Sequence, residues 1–295
     1  MPAESTLVEV GGLAVGSIIV STPEQPLSAL VELLSLEQID RDIFRAAYPG
    51  EGNGRLFGGQ VASQALRAAA GTIDVDHQVN SLHAYFLRPG RFGTRVVFTV
   101  DRIRDGRSFS TRRVVALQDG EAIMNLDASF HAAEEGEVFQ GASPVHLVPS
   151  PDELPRDPDR RGPHQHPIDS RSVSFPDSVQ GARARWARTA DPLPDDPVLH
   201  ACAITYLSDS GPVGATRHAL GSDDDQPAKG RMMTASLDHC VWFHRPVRAD
   251  DWLLYRLEAV ACGAARGLAR GEMWTPEGEL VVSVSQESLL RLRSD

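Results

Sequence analysis

Residues 236–246 read S-L-D-H-C-V-W-F-H-R-P, and the prediction of the fold starts from this stretch. It is typical of one β-strand, with the hydroxyl of Ser236 at its start and Arg245-Pro246 at its end. Residues 81–89 read S-L-H-A-Y-F-L-R-P and contain the same parts: a polar start, a histidine, an aromatic pair and a closing Arg-Pro. The two Arg-Pro pairs lie roughly 157 residues apart, which is a match in register. We therefore predict that the chain contains one fold unit twice.

Each copy is predicted to place a long helix before a curved antiparallel sheet. In the first unit, Asp105-Gly106 and Asp119-Gly120 are hairpin turn signals, and a short amphipathic helix is predicted from Ser35 to Ala46. Long helices are predicted at 58–70 and 197–208. The predicted strands are 81–87, 95–104, 108–118 and 122–131 in the first unit and 234–245, 252–261, 264–274 and 279–291 in the second. This arrangement predicts an α+β fold in which each sheet wraps its own helix.

Composition divides the chain into four segments. Residues 1–33 are predicted to form an N-terminal arm, 34–132 the first unit, 133–195 a Pro-rich linker and 196–295 the second unit. One short helix is predicted inside the linker, near residues 181–189. Because a compact domain rarely contains a structureless loop of this length, the linker indicates two units.

Charge and composition argue against several function classes. The formal net charge of -11 opposes binding to polyanions, so no nucleic-acid or membrane partner is expected. No window approaches the ~18 uninterrupted apolar residues of a membrane span. The three cysteines form no C-x-x-C pair, which fits a reducing cytoplasm. His164 and His166 have no third ligand within sequence reach, so neither a metal nor another cofactor is expected.

Seven short motifs occur together between about Leu34 and Arg291: L-S-L-E-Q-I, F-G-G-Q-V-A-S-Q-A-L, F-L-R-P-G, D-G-R-S-F-S-T-R-R-V, L-D-H-C-V-W-F-H-R-P, D-W-L-L-Y and A-R-G-x-x-R-G. In combination they resemble the acyl-CoA thioesterase II family, whose fold is a double hotdog. The resemblance implies an acyl-CoA substrate, a role in lipid and fatty acid metabolism, and a homodimer or homotetramer. It also implies a catalytic set at Asp209, Ser236 and Gln286. Serine replaces the more usual threonine at 236 and keeps the hydroxyl.

Asp209 can also be interpreted from spacing. It continues an apolar stripe that includes Leu199 and Tyr206, so its carboxylate should turn toward the sheet. Gly211-Pro212 place it in the last helical turn, where the macrodipole disfavours a negative charge and so favours a base. An exposed aspartate at a frayed helix end fits the spacing equally well. The repeat places Gln64 opposite Asp209, so only the second copy can ionise at this position.

Three other polar side chains lie on the predicted strands, and each is either structural or part of the site. Gln286 lies on a core-facing stripe of its strand, where it is either a satisfied structural amide or holds a water or the substrate carbonyl beside Ser236. His239 follows Ser236 by three positions, and such residues lie on opposite faces of a regular strand. We therefore predict a structural role for His239 and its counterpart His83. Asp238 is interpreted as a strand-edge acid bonded to backbone.

Substrate-binding candidates are the residues that could meet an acyl-CoA. Backbone N–H groups at Gly58 and Gly59, where the first long helix begins, could polarise the thioester carbonyl, although glycines there often serve only packing. Nucleotide phosphates call for arginines, and the candidates are Arg88, Arg245, Arg266 and Arg270.

The sequence favours the first of two functions, because a binding protein has no use for an acid in an apolar pocket. In the first, Asp209 takes a proton from a water that Ser236 and Gln286 hold in line, and the thioester is hydrolysed. In the second, the protein binds acyl-CoA without catalysis. A hotdog hydratase would need a G-D-x-N-P-x-H-x-D run, which this chain lacks. Acyl chain length does not follow from the sequence.

Overall fold

The strands of both units join into one antiparallel sheet that wraps two central helices. A computed structural model describes residues 29–48, 54–74, 76–157, 167–174, 182–221 and 232–292. The first unit contains α1 (Ala29–Leu33), β1 (Leu36–Asp40), β2 (Ile43–Ala46), α2 (Gly58–Ala70), β3 (His77–Phe86), β4 (Val97–Asp105), β5 (Phe109–Gln118) and β6 (Glu121–Ala132). The second contains β7 (Ile168–Val173), β8 (Arg183–Thr189), α3 (Pro197–Ser208), α4 (Pro212–Ala219), β9 (Met232–Ser236), β10 (Asp238–Phe243), β11 (Leu253–Gly263), β12 (Arg266–Trp274) and β13 (Leu280–Leu292).

The two units meet at a seam between β3 and β10. The strand order is β1-β2-β4-β5-β6-β3-β10-β13-β12-β11-β8-β7, and β9 also pairs with β13. At the seam Cys240 pairs with His83, which lies 157 positions earlier in the chain, so His83 corresponds to Cys240 and its predicted match with His239 is wrong. Equivalent residues can pair with each other only next to a twofold axis, so the units are related by a pseudo-twofold rotation.

Helices α2 and α3 pack antiparallel inside the sheet. Small residues on α2 allow this close approach, since Ala62, Ala65, Ala68 and Ala69 are buried. At one end of the pair, the rings of Phe57 and Tyr206 contact each other edge to face, with centroids 5.0 Å apart. At the other end, Arg67 forms an ion pair with Asp196 (2.9 Å). None of the described helices has the length and apolar character needed to cross a membrane.

Two predicted helices are strands. The helix predicted from Ser35 is the β1–β2 hairpin, which turns at Asp42 in a left-handed conformation (φ 58°). The short helix predicted near residues 181–189 is β8, which pairs with β11 through Leu254 opposite Trp186. In both segments the apolar residues are few, and period-two alternation in a paired strand buries them better than one helical turn would. The segment predicted as a linker therefore contributes two strands to the sheet.

The strand predicted over 234–245 is interrupted by a β-bulge at Leu237. Ser236 pairs with Ser288 and Cys240 pairs with Ser285, so β9 and β10 use one more residue than β13 over the same length. The Leu237 N–H donates to Glu287 O (2.9 Å), and the Leu237 carbonyl accepts from the Phe86 N–H. In a regular strand, residues three positions apart face opposite sides of the sheet. The extra residue shifts this alternation by one position, so Ser236 and His239 face the same side.

Candidate active site

Asp209 lies where the two units meet at one end of the helix pair. It is the C-cap residue of α3, and only 6% of its surface is exposed. Its Oδ2 accepts a hydrogen bond from the backbone N–H of Gly59 in α2 (2.7 Å). Its Oδ1 accepts from the Ser236 hydroxyl at 3.2 Å. The carboxylate is therefore held by one group from each unit, and the alternative of an exposed aspartate at a frayed helix end is wrong.

The contact with Gly59 supplies a cap that α2 lacks. The N-cap residue of α2 is Phe57, whose side chain cannot accept a hydrogen bond. By contrast, Asp196 caps α3 by accepting from the N–H groups of Val198 and Leu199. The start of α2 thus receives an acceptor from the other unit. The sequence indicated only the dipole of α3, at whose C-terminus Asp209 lies.

A chain of hydrogen bonds continues from Ser236 into the core. Gln286 Nε2 donates to Ser236 Oγ (2.9 Å). Gln286 Oε1 lies 2.6 Å from His239 Nδ1, and His239 Nε2 lies 2.7 Å from Ser208 Oγ. Both Gln286 and His239 are buried, so these contacts satisfy groups that would otherwise be costly in the core.

The protonation state of His239 determines which groups donate and which accept in this hydrogen-bond network. Burial is the largest influence on its pKa and lowers it from the usual value, while Asp209 and Asp238 act in the opposite direction. A neutral imidazole has one donor and one acceptor nitrogen. Since Gln286 uses its NH₂ group toward Ser236, its oxygen accepts from the His239 Nδ1–H. Nε2 is then the acceptor nitrogen and faces Ser208 Oγ, whose single proton is shared with the Thr205 carbonyl (2.9 Å). The imidazole thereby orients the Gln286 amide.

A cavity of about 330 Å³ opens beside Ser236. Its wall includes the start of α2 at Gly58, the end of β3 at Phe86 and the bulge residue Leu237. Gly58 leaves room that no other residue could leave, because a Cβ there would lie 2.9 Å from Asp209 Oδ2 and 2.8 Å from the Phe86 ring. The backbone of α2 thus approaches the carboxylate closely.

The structure brings only some of the predicted substrate-binding residues to this cavity. Arg88 lines it, together with Arg55, which carried no motif signal. The Gly59 N–H is already bonded to Asp209, whereas Gly58 forms part of the cavity wall. Arg245 lines a second cavity elsewhere. Arg266 and Arg270 lie on the exposed outer face of β12, and Arg266 pairs with Glu287 (2.8 Å).

The pseudo-twofold axis identifies the residue that corresponds to Asp209. The contact between Arg67 and Asp196 at one end of the helix pair is equivalent to the contact between Tyr206 and Phe57 at the other. Counting from this match, Asp209 corresponds to Ala70. The predicted counterpart, Gln64, lies elsewhere and donates to Leu33 O (2.7 Å). The error arose because the helices were aligned by similar residues and not by contacts.

The other members of the network also have apolar counterparts. Strand pairing on the two sides of the seam is equivalent, including an irregularity next to Val79 that matches the bulge at Leu237. The residues equivalent to Ser236, His239 and Gln286 are Val79, Leu82 and Ala128, respectively. One end of the helix pair therefore carries a connected polar network, and the other end carries aliphatic side chains at the same positions.

His239 is the member of the network that the sequence prediction missed. Its i+3 spacing from Ser236 indicated the opposite face, and nothing in the composition of residues 236–239 signals the bulge. Asp238, by contrast, accepts from the Glu287 N–H (2.6 Å), as expected of a strand-edge acid. Within the described part of the chain, no group of three His, Cys, Asp or Glu side chains could hold a metal ion. His164 and His166 lie outside the described residues.

Comparison with known proteins identifies the family. Residues 48–131 match the model of the acyl-CoA thioesterase N-terminal domain, and residues 144–290 match that of the C-terminal domain. The chain belongs to the acyl-CoA thioesterase family. It is 35% identical over 287 residues to human acyl-coenzyme A thioesterase 8, which covers 88% of each chain. It is 32% identical to acyl-CoA thioesterase 2 of Haemophilus influenzae, covering 90% of this chain and 98% of that one.

Solved structures of related proteins confirm the predicted fold of this acyl-CoA thioesterase family member. The acyl-CoA thioesterase II TesB2 of Mycobacterium marinum is 42% identical, with a TM-score of 0.78 over 90% of this chain and 99% of that one. A hot dog fold protein of Alicyclobacillus acidocaldarius is 22% identical and covers 91% of this chain and 100% of that one, with a TM-score of 0.76. The α+β double hotdog prediction is therefore confirmed.

Proposed function

We propose that this protein hydrolyses acyl-CoA thioesters to a free carboxylic acid and coenzyme A. One observation carries the proposal: a buried carboxylate, Asp209, is bonded to the Ser236 hydroxyl at the wall of a cavity. The pseudo-equivalent position holds Ala70. A chain that only needed to bind acyl groups would gain nothing from a buried acid, because burying a charge costs free energy. The named activities of the relatives agree with this assignment.

In the proposed reaction, Asp209 acts as general base. A water held between Asp209, Ser236 and Gln286 loses a proton to the carboxylate as its oxygen attacks the thioester carbonyl. The tetrahedral intermediate then collapses, the C–S bond breaks, and the thiolate of coenzyme A leaves. A thiol of the cysteine type has a pKa of about 8.5, so the thiolate departs without a strong acid. The proton on Asp209 passes to the thiolate or to solvent, which restores the base.

The oxyanion requires a donor on the other side of the carbonyl. The Gly59 N–H is bonded to Asp209, so we assign this role to the N–H of Gly58 at the same helix end. Arg55 and Arg88 line the cavity and provide positive charge for the phosphates of coenzyme A. His239 contributes as a positioning residue, since it holds the Gln286 amide with its NH₂ group toward Ser236.

Release of free thiol from a panel of acyl-CoAs, from acetyl to palmitoyl, tests the activity and defines the chain length. We expect Asp209→Asn to keep the fold and to lower kcat at least about 100-fold. Asp238→Asn is the matched control, because this carboxylate bonds to the Glu287 N–H outside the network. Full activity of Asp209→Asn would contradict the mechanism. If the wild-type chain bound acyl-CoA and released no thiol from any member of the panel, the non-catalytic alternative would be correct.

A further inference from the structure

A second cavity, of about 210 Å³, lies at the opposite end of the α2–α3 pair. It is related to the catalytic cavity by the pseudo-twofold axis. Ala70, Val79 and Phe243 line it, and they correspond to Asp209, Ser236 and Phe86 at the catalytic end. The fold has therefore kept the shape of an acyl-binding site at this end while replacing its polar groups with aliphatic ones.

A buried histidine lies among the aliphatic residues of this cavity. His200 of α3 lines the second cavity, at the helical position that Val61 occupies in the catalytic cavity. It is only 2% exposed. Its Nδ1 accepts from the Ala249 N–H at 3.1 Å. Its Nε2 is buried and has no hydrogen-bond partner among the residues that the structure describes.

The hydrogen bond from the Ala249 N–H to Nδ1 determines which ring nitrogen of His200 carries the proton. Burial is the largest influence on the His200 pKa and lowers it, which favours the neutral ring, while nearby Asp250 acts in the opposite direction. Because Nδ1 accepts a hydrogen bond, the proton of the neutral ring is on Nε2. The proton therefore lies on a buried nitrogen of a residue that lines the cavity, and this donor has no hydrogen-bond partner among the described residues, which costs free energy. An acceptor on a ligand would recover that free energy.

Charge at the rim agrees with a ligand that carries an acceptor oxygen. Arg248 is neutralised by Asp195 (2.8 Å) and Asp250 (3.2 Å). Arg245 also lines the cavity, and its Nη1 donates to two neutral oxygens, Gln140 Oε1 (2.7 Å) and Leu280 O (3.1 Å). The rim therefore keeps the positive charge of Arg245.

We propose that the second cavity is a non-catalytic binding site for an aliphatic acyl group, whose carbonyl or carboxylate oxygen accepts a hydrogen bond from His200 Nε2. The apolar walls hold the chain, and the absence of an acid, a hydroxyl and an amide at positions 70, 79 and 128 leaves the bound group unreacted. The class of ligand rests on the proposed function, since the acyl group could come from the fatty acid product or from an acyl-CoA. The cavity and its free donor do not depend on that function.

Equilibrium dialysis of the full chain tests the site without turnover. Radiolabelled decanoate is added in the presence of S-decyl-CoA, a thioether that the enzyme cannot hydrolyse and that occupies the catalytic cavity. We expect one decanoate per chain to stay bound and Ala70→Phe, which fills the second cavity, to weaken this binding at least about tenfold. Ala70→Phe should retain thiol release, which shows that it folds. Decanoate binding that is absent from the wild type or unchanged in Ala70→Phe would overturn the proposal.

Labelling the thioether instead of the acid identifies the source of the acyl group. Two S-decyl-CoA molecules per wild-type chain and one per Ala70→Phe chain would identify acyl-CoA as an occupant, and one per chain in both would identify the free acid. His200→Asn tests the donor, because the Asn oxygen can replace Nδ1 as the acceptor for the Ala249 N–H while Nε2 is removed. We expect this variant to bind its ligand roughly tenfold more weakly. Unchanged affinity would overturn the role of His200.

Discussion

Asp209 lies between two helix ends of opposite polarity. It is the C-cap of α3, whose dipole disfavours its charge, and it accepts from the Gly59 N–H at the start of α2, whose dipole favours it. The carboxylate is held by the Gly59 N–H through one oxygen and by the Ser236 hydroxyl through the other. The position of the Asp209 carboxylate thus depends on a contact between the two units.

The Ser236 hydroxyl is expected to contribute through its proton and not through its bulk. Ser236→Thr keeps the hydroxyl, and Ser236→Val has nearly the same shape as the threonine variant and copies Val79 at the equivalent position. We expect the threonine variant to stay within about threefold of wild-type kcat/KM and the valine variant to lose about 10- to 100-fold. Steady-state thiol release on the same acyl-CoA measures both. Equal activity of the two variants would exclude a role for the hydroxyl.

His239 should make stability depend on pH in a predictable direction. Its folded-state pKa is lowered from 6.5, mainly by burial. As pH falls below about 6.5, the unfolded chain takes up a proton that the folded chain excludes, so this contribution is present above that pH and is lost below it. His239→Leu, which copies Leu82, removes it. We expect the free energy of unfolding to fall less in the variant than in the wild type between about pH 7.5 and 5.5.

Urea denaturation at the two pH values measures this difference. The carboxylates with lowered pKa, such as Asp250, act at more acidic pH and do not interfere. If His239 acts on catalysis by orienting Gln286, the variant should also lose kcat more than it changes KM. An identical pH dependence of stability in the two chains would contradict a neutral, buried imidazole.

At the scale of elements, the bulge between β9 and β10 and the start of α2 assemble the site. The bulge turns Ser236 and His239 to one face, and Gln286 on β13 bonds to both. Helix α2 begins at Gly58 without a capping side chain of its own, which leaves the Gly59 N–H to Asp209 and, in the proposed reaction, the Gly58 N–H to the substrate. The bulge and the uncapped helix start are both irregularities that ideal strands and helices would not contain.

The close approach of α2 to Asp209 predicts the effect of one methyl group. In Gly58→Ala the new Cβ would lie 2.9 Å from Asp209 Oδ2, so the carboxylate must move. We expect kcat to fall at least about tenfold, with a loss of stability below about 2 kcal/mol because the Phe86 ring and the Asp209 side chain can adjust. Thiol release and thermal unfolding measure the two effects.

Gly263→Ala is the matched control for this substitution. A Cβ at Gly263 would meet no atom within 4 Å, and the residue lies at the end of β11, outside the cavity. This variant should keep wild-type kcat. Wild-type kcat in Gly58→Ala would show that the position of the carboxylate is less restricted than we propose.

The whole molecule is one folded body built from two equivalent units. The β3–β10 seam, the α2–α3 contact and a hydrophobic core with residues from both units connect them. Because the Asp209 carboxylate of one unit accepts from the Gly59 N–H of the other, neither unit alone can form the proposed site. The pseudo-twofold axis generates two cavities, and only one of them has the polar groups of the proposed active site.

This connection predicts a single cooperative unfolding transition. All four tryptophans, at positions 186, 242, 252 and 274, belong to the second unit, so their fluorescence reports on that unit and, through the contact of Trp242 with His83, on the seam. Far-UV circular dichroism reports on both units. We expect the two signals to give the same midpoint in urea, because separating the units would break the sheet and expose the shared core. A dichroism transition with a separate step that the fluorescence does not detect would contradict this prediction.

Much of the fold was predictable because it is encoded locally. The helix at residues 197–208 matches α3, and the predicted strands after each long helix match observed strands within a few residues, because hydrophobic period and hairpin turns act over short distances. Residues 35–46 and 181–189 were predicted as helices. Such short segments contain too few apolar residues to distinguish the period of a helix from that of a strand. Their state is set by pairing with neighbouring strands.

The repeat, the double hotdog and the residue types at Asp209, Ser236 and Gln286 can all be inferred from the amino-acid sequence. The contacts that these residues make form only in the folded chain. The Gly59–Asp209 contact joins residues 150 positions apart, and the bulge at Leu237 depends on register against β13 and not on composition. The apolar second cavity likewise follows from the pseudo-twofold axis. These features arise from contacts between residues that are distant in the chain, and such contacts have no local signature in the sequence.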